Sequence, residues 1–449
     1  VFVYEGLVAK SQNRWPNLSF DVGSVLGLAA PALSAGFYYK TFFGSAKKWM
    51  FYEYFIRKAA GLGNAPTQTD PDRFSQRAAF CDLLVIGSGP AGLMAALTAA
   101  RAGADVILAE QDSLLGGRLL SDGGTLGTPW VDATLTELRA MPNVRLMPRT
   151  TVVGAYDQGT FGALERVGDF APRRVGLPRS CFWRIVAKRS VLCAGSLERS
   201  IAFPNNDRPG VMMAGAVRAY VNRWGVATGK KVAVFGNNDD VAKTARDLRA
   251  AGIDVVAELD SRTGARVIDT AGRHGLQSIT VSQNGENAKI EADCLAVTGG
   301  WNPTVHLTCH MNGRPVWDAG IASFVPSAGA VPNMVTAGAC HGVFDTMGCL
   351  ADAAQITEAA LKNMQIKPAK VDLPQADHAP YNIEPLWHVE GKGRKWIDFQ
   401  NDVHVKDVRL AAQENFRSVE HMKRYTTQGM APDQGKSSNV VALAVLADA

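Results

Sequence analysis

The stretch Cys81-Asp-Leu-Leu-Val-Ile-Gly-Ser-Gly-Pro-Ala-Gly92, followed by Gly103-Ala-Asp-Val-Ile-Leu-Ala-Glu110 and Gly116-Gly117-Arg118, constrains this chain more than any other part of it. It reads as a buried strand, a glycine turn, a helix, a second strand ending in a carboxylate and a second glycine pair, the order a dinucleotide site requires. Gly87 permits the tight turn out of the strand. Gly89 lets backbone N–H groups approach a pyrophosphate without a Cβ in the way, and Gly92 lets the helix lie close on the sheet. The diphosphate is expected against Ser88, Pro90 and Ala91 at the helix N-terminus, where unpaired N–H groups and the positive end of the dipole favour an anion. Glu110, 23 positions after Gly87, can accept hydrogen bonds from ribose hydroxyls and would repel a 2′-phosphate. NAD or FAD is therefore favoured over NADP. Arg118, directly after Gly117, is expected beside the pyrophosphate or ribose.

At 449 residues the chain exceeds one compact core, and about 150 residues per domain suggests roughly three units. Hydrophobic residues at 47% and charged residues at 20% are values of a globular protein that can bury a core. The net charge of +5 is spread along the chain without a dense basic run, which argues against nucleic acid as a partner. The longest apolar passage, Val22 to Phe37, is broken by Pro31 and several glycines and falls short of the roughly 18 to 20 residues of a membrane span. No basic-then-apolar leader is visible after Val1, and the scattered cysteines fit an expected reducing cytoplasm. Seven cysteines without a CxxC pair argue against a disulfide framework and against a dithiol redox centre. Cys309-His310 and Cys340-His341 lack the spacing of a closed metal site. Neither a Gly-x-Ser-x-Gly elbow nor an HExxH motif occurs, and no catalytic residue is assigned. The basic cluster His421-Met-Lys-Arg424 reads as a solvated face, with contact to a partner or an anion as the alternative.

The expected fold class is α/β, with two nested three-layer dinucleotide-binding units of the Rossmann-like flavoprotein type. Residues 1–78, rich in large rings from Trp15 to Phe55, form an interface arm and linker that lies against another surface. The first nucleotide unit is split into 79–205 and 292–365. The second, 206–291, opens on Lys230-Lys-Val-Ala-Val-Phe-Gly236, but Asn237, Asn238, Asp239 and Asp240 fill its turn. Two carboxylates there are hostile to a pyrophosphate, and the unit reads as structural. Within the first unit, Val152, Gln111 and the turn Ala194-Gly195 after a strand are further candidates for cofactor contact. Late turns such as Gly338 are expected to return beside the first pyrophosphate. Residues 366–449 form a small helical module.

Several narrower stretches carry a resemblance. Ser11-Gln-Asn-Arg-Trp-Pro16, Ala35-Gly-Phe-Tyr-Tyr-Lys-Thr41, Phe203-Pro-Asn-Asn-Asp-Arg-Pro-Gly210, Asp398-Phe-Gln-Asn-Asp402, Lys406-Asp-Val-Arg-Leu-Ala411 and Ser418 to Met430 make the chain similar to the α-subunits of bacterial heterotetrameric sarcosine oxidases along essentially its whole length. That resemblance implies an αβγδ complex which demethylates sarcosine to glycine, passes electrons from FAD to FMN to oxygen, and transfers the one-carbon unit to tetrahydrofolate. It implies NAD in this chain, held by Gly87, Gly89, Gly92, Glu110, Gly117 and Gly338. FMN is then expected at the contact with β, and FAD and substrate on β. Tetrahydrofolate is expected on a C-terminal aminomethyltransferase domain that this sequence lacks. The C-terminal module also resembles a [2Fe–2S]-binding domain, but Asp398 to Asn401 and Asp433-Gln-Gly435 contain none of the cysteines a cluster needs. Three alternatives stand beside this reading: a subunit of a related amine or amino-acid dehydrogenase, a free-standing NADH-dependent FAD reductase, and a scaffold with an empty site.

Overall fold

The computed structural model describes residues 14–449 except 18, 30–34, 43, 60, 62–66, 68, 71, 123–125, 169–175 and 380. Part of the Ser11–Pro16 stretch, Phe43, much of the 64–72 linker and part of the Val22–Phe37 apolar passage lie outside the described residues. The arm contributes α1 (Phe37–Thr41) and α2 (Ala46–Ala59). Its start is fastened to the C-terminal module: the Ala35 N–H donates to Asp407 Oδ1, Lys40 pairs with Glu414, and Gly36 sits against the Tyr425 ring. Along α2, Met50, Phe51, Tyr54 and Phe55 are exposed.

The first sheet begins with β1 (Phe74–Ile86), α3 (Pro90–Arg101), β2 (Val106–Ala109), α4 (Gly127–Ala140) and β3 (Val144–Met147). Leu83 to Ile86 and all of β2 are buried, as parallel strands covered on both faces must be. A meander follows, β4 (Thr150–Tyr156), β5 (Thr160–Arg166) and β6 (Ser180–Leu192). The strand order is β3-β2-β1-β6-β5-β4. β6 runs parallel to β1 along its whole length and antiparallel to β5 over its first half only. Helix α3 lies between this sheet and later helices. It is built from Ala, Leu, Met and Gly and is buried from Pro90 to Ala100, as a helix apolar all round must be.

The strand β7 (Ser196–Glu198) leads out to β8 (Val211–Met213), α5 (Ala214–Trp224), β9 (Lys231–Gly236), α6 (Asp240–Ala250) and β10 (Asp254–Asp260). An antiparallel triplet, β11 (Arg266–Ala271), β12 (Ser278–Gln283) and β13 (Glu286–Glu291), precedes β14 (Cys294–Thr298). The second sheet has the order β10-β9-β14-β8, all parallel. The expected return to the first unit at residue 292 is therefore corrected. β14 is buried at every position and fills the gap between β8 and β9, so the chain stays in the second sheet through Thr298.

β15 (Trp301–Pro303) then pairs antiparallel with β7, forming a double crossing between the sheets. After α7 (His306–Cys309) and the hairpin of β16 (Val316–Asp318) and β17 (Ser323–Val325), β18 (Met334–Thr336) joins the end of β6. It occupies the edge that β5 leaves uncovered. The helix α8 (Thr346–Asn363) packs on α3. The final module comprises β19 (Trp396–Asp398), β20 (Val403–His404), α9 (Val405–Gln413), α10 (Val419–Thr426) and α11 (Asn439–Ala447) around Val405, Val408, Met422 and Val441. Among the described residues no helix is long and apolar enough to cross a membrane.

Candidate functional site

The turn between β1 and α3 is fixed by its glycines. Gly87 has φ +97, and a Cβ there would come 2.4 Å from the Cys193 carbonyl oxygen. At Gly92 a Cβ would lie 1.9 Å from the Gly87 oxygen, and at Gly117, with φ +53, 2.7 Å from Gly89 Cα. Gly89 is different: a Cβ would meet no atom within 4 Å. The space beside it belongs to a cleft of about 1630 Å³ between the two sheets, larger than the roughly 300–1,000 Å³ of an ordinary small-molecule site. The N-terminus of α3, whose first N–H groups have no partner within the helix, opens into it.

Glu110 stands where the sequence places it, at the end of β2, and its carboxylate is tied to the turn. Oε2 accepts from the Ser88 N–H at 2.8 Å and the Ser88 hydroxyl at 2.7 Å, and Oε1 accepts from the Asp112 N–H at 2.9 Å. Ser88 Oγ in turn accepts from the Gly116 N–H, so one carboxylate fastens both glycine turns. A carboxylate has about four lone-pair positions, which leaves Oε1 able to accept one bond more from the cleft.

Gly87, Ser88, Gly89, Pro90, Ala91, Glu110, Gln111, Gly117, Arg118, Val152, Ala194 and Gly195 all line the cleft. Gly92 and Gly338 stand behind its wall. A Cβ on Gly338 would press on Ala91 Cβ at 2.6 Å, and its N–H donates to Asp352. These two glycines set the wall by close approach. Arg118 is held by the protein itself: its guanidinium donates to the Phe344 carbonyl and the Thr346 hydroxyl and pairs with Asp122.

The opposite wall comes from the second sheet and the crossing strands. In the turn after β9, Asn238 donates to the Asn237 side chain and to Thr298, and a Cβ on Gly236 would strike Thr298 at 2.4 Å. Asp239 takes Arg262 and the Asn382 N–H, and Asp240 accepts from Trp301 Nε1. Side chains thus fill the position that stays open beside Gly89 in the first turn.

Two features of this wall were not legible in the sequence. Asp122 binds Arg118, Arg218 and Lys243 together, and Arg218 also reaches Asp247, joining the loop before α4 to α5 and α6. Burial pushes the Asp122 carboxyl up, but the three cations hold it well below the usual range. Glu198, at the end of β7, accepts from the Gly215 N–H at 2.7 Å through Oε2. Its Oε1 is sealed from solvent without a hydrogen-bond partner. Burial, with Asp240 nearby, pushes this carboxyl up to about 8. A strand–glycine turn followed by a carboxylate, Gly195-Ser-Leu-Glu198, was the available signal.

The thiols around the cleft are inert. Burial pushes Cys340 up to about 12, Cys349 to about 11, and Cys193 well above the usual thiol value. The cleft therefore offers an anion berth at a helix N-terminus, an acceptor at the end of β2 and a further carboxyl whose charge burial disfavours. It suits an extended, polar, phosphate-bearing ligand.

Comparison with known proteins fits this geometry. Residues 82–151 match the FAD dependent oxidoreductase family, and residues 392–449 match the Sarcosine oxidase A3 domain. L-Proline dehydrogenase from P. horikoshii shares the fold, with a TM-score of 0.63 at 21% identity over 84% of this chain and 76% of that one. Sarcosine oxidase subunit alpha of Rhizobium meliloti (strain 1021) is 46% identical over 100% of this chain and 48% of its own length. That of Corynebacterium sp. (strain P-1) is 37% identical over 86% of this chain and 44% of its own. The chain spans about half the length of these relatives. Identity of 46% along the whole of this chain places the protein in the family of sarcosine oxidase α subunits.

Proposed function

We propose that this chain is the NAD-holding part of the α subunit of a multisubunit sarcosine oxidase, which demethylates sarcosine to glycine with oxygen and tetrahydrofolate and yields hydrogen peroxide and 5,10-methylenetetrahydrofolate. The carrying observation is the Gly87–Gly89 turn on the cleft wall, where a Cβ at Gly89 would meet no atom while one at Gly87 would clash, with Glu110 tied to it from the end of β2. On this reading the α3 N-terminus and the Ser88–Gly89 backbone hold the diphosphate, and Glu110 Oε1 takes a ribose hydroxyl. NAD supplies a nicotinamide that can carry hydride when bound. The residues of this chain bind and orient it and exclude water. Substrate oxidation with FAD belongs to a β partner, FMN to the contact with β, and tetrahydrofolate to the part of the relatives this chain does not span. The γ and δ subunits complete the complex. In this assignment the second unit extends through Thr298 and carries no nucleotide, since its turn is filled by Asn237, Asn238, Asp239 and Asp240.

Denaturing the purified protein and identifying the released nucleotide tests this reading. NAD is expected. A second reading is favoured by the match to the FAD dependent oxidoreductase family over residues 82–151: FAD in the same berth of an NADH-dependent reductase. Release of FAD, together with bleaching of a yellow protein by NADH, would establish it in place of the first.

A further inference from the structure

We propose that Glu198 reads the ring end of the bound dinucleotide and selects a cationic nicotinamide over its neutral reduced form. This rests on the NAD reading above and adds to it the residue that sets the redox state held.

Position is the first argument. The Cys193 carbonyl lies against Gly87, and Glu198 follows five residues later on β7. At about 3.3 Å per residue that segment carries the chain no more than roughly 17 Å. Glu198 and Gly89 line the same cleft, so both can face one extended ligand.

Charge is the second. Oε1 of Glu198 is buried and unpartnered, while the Gly215 N–H donates to Oε2 and a hydrogen bond from Thr298 also favours the charged form, both outweighed by burial. Arg218, the cation that acts on this carboxyl, and Lys243 are engaged by other carboxylates, while Lys436 on the same cleft bears on His306. Arg218 pairs with Asp122 and Asp247, and Lys243 with Asp122. Arg199, the residue after that strand, donates to the Gly299 carbonyl and Asn302. Asp240 adds a like charge from α6. Burial together with Lys436 lowers His306, and burial raises Tyr381, so both are neutral near pH 7. The carboxyl therefore stays protonated, lacking a partner of opposite sign.

A docked pyridinium ring supplies that partner. The O–H proton of Glu198 then leaves to solvent, and the carboxylate pairs with the ring. Reduced nicotinamide brings no positive charge and leaves the proton in place. Because the carboxyl titrates near 8 without ligand and lower with NAD⁺, oxidised nucleotide binds more tightly as pH rises toward 8. The gain is up to about tenfold per pH unit for one proton released. Above 8 the dependence flattens.

The test uses the protein isolated with any partner chains it carries and stripped of nucleotide. Titration calorimetry in buffers of different ionisation enthalpy near pH 7 counts protons. Release of most of one proton with NAD⁺ and none with NADH or ADP-ribose is expected. The ratio of NAD⁺ to NADH affinity should widen between pH 6 and 8, and Glu198→Gln should flatten it while ADP-ribose binds as before. Equal proton release with NAD⁺ and NADH in the unsubstituted protein, or an unchanged pH-dependent ratio in Glu198→Gln, overturns the proposal. Failure of both NAD⁺ and ADP-ribose to bind the unsubstituted protein instead removes the dinucleotide reading itself.

Discussion

Alanine at Gly89 and at Gly92 should separate ligand binding from folding. Gly89 has φ −65 and ψ −172, which any residue adopts, and its Cβ would touch no protein atom. Gly89→Ala should leave stability unchanged or raise it by about 0.4–1 kcal/mol through the unfolded chain. Gly92 lies in the first turn of α3, and its Cβ would fall 1.9 Å from a backbone oxygen that has no rotamer to escape by. Overpacking of this kind costs roughly 1–3 kcal/mol, offset by about 1 kcal/mol of helix propensity, so Gly92→Ala should be destabilised by up to about 2 kcal/mol. Binding should follow the opposite order of directness. A methyl on Gly89 displaces a diphosphate from N–H donors worth about 1.5–3 kcal/mol each, or on the order of 10–100-fold in affinity for one such bond. Thermal unfolding with and without added NAD, beside nucleotide content after denaturation, measures both effects. Gly89→Ala with undiminished nucleotide content would refute the placement of the diphosphate.

Asp122→Asn removes the charge shared by Arg118, Arg218 and Lys243. Because Arg218 is nearly buried and keeps Asp247, the loss should fall near the lower end of the roughly 3–5 kcal/mol seen on breaking buried pairs, measured by denaturant unfolding. The folded carboxyl titrates below its unfolded value of about 3.9. Its contribution is therefore complete above that pH and is lost as pH falls through the folded value. Asp122→Asn should lack that part of the acid limb, and parallel acid curves would count against the latch. Glu110→Gln sets an amide NH₂ against either the Ser88 or the Asp112 N–H. It should cost about 1–3 kcal/mol and lower nucleotide content; unchanged unfolding would show that the carboxylate does not hold the turn. Asp407→Ala, which removes the acceptor for both the His404 and Ala35 N–H groups, should cost about 1–2 kcal/mol and speed proteolysis before residue 60. Lys40→Ala, in an exposed pair, should change stability by less than about 1 kcal/mol.

The first βαβ unit was readable because its signals agree: apolar strands, glycines at the turn, and Pro90 opening the helix. Twelve of the cleft-lining residues were named from that pattern and from the chain's resemblance. The strand expected before Ala194-Gly195 reaches back without a break to Ser180. Its polar outward positions, Arg184, Lys188 and Arg189, hid its continuity. Cys294–Thr298 was assigned to the wrong sheet because a fully apolar strand carries no mark of which neighbours it pairs with. Asp122 and Glu198 escaped notice for a related reason. Each gains its character from partners distant in sequence: Arg218 and Lys243 for one, Gly215 and Asp240 for the other.

The late arrival of β18 at the edge of β6 fixes an order of events during synthesis. β1 and β6 are translated long before Met334–Thr336, which must take its place beside Ser190–Leu192. The four parallel strands of the second sheet are all present once Thr298 has been made. The inserted layer can therefore condense on the ribosome while its host still has an open flank, and the cleft walled by both is among the last parts of the molecule to form.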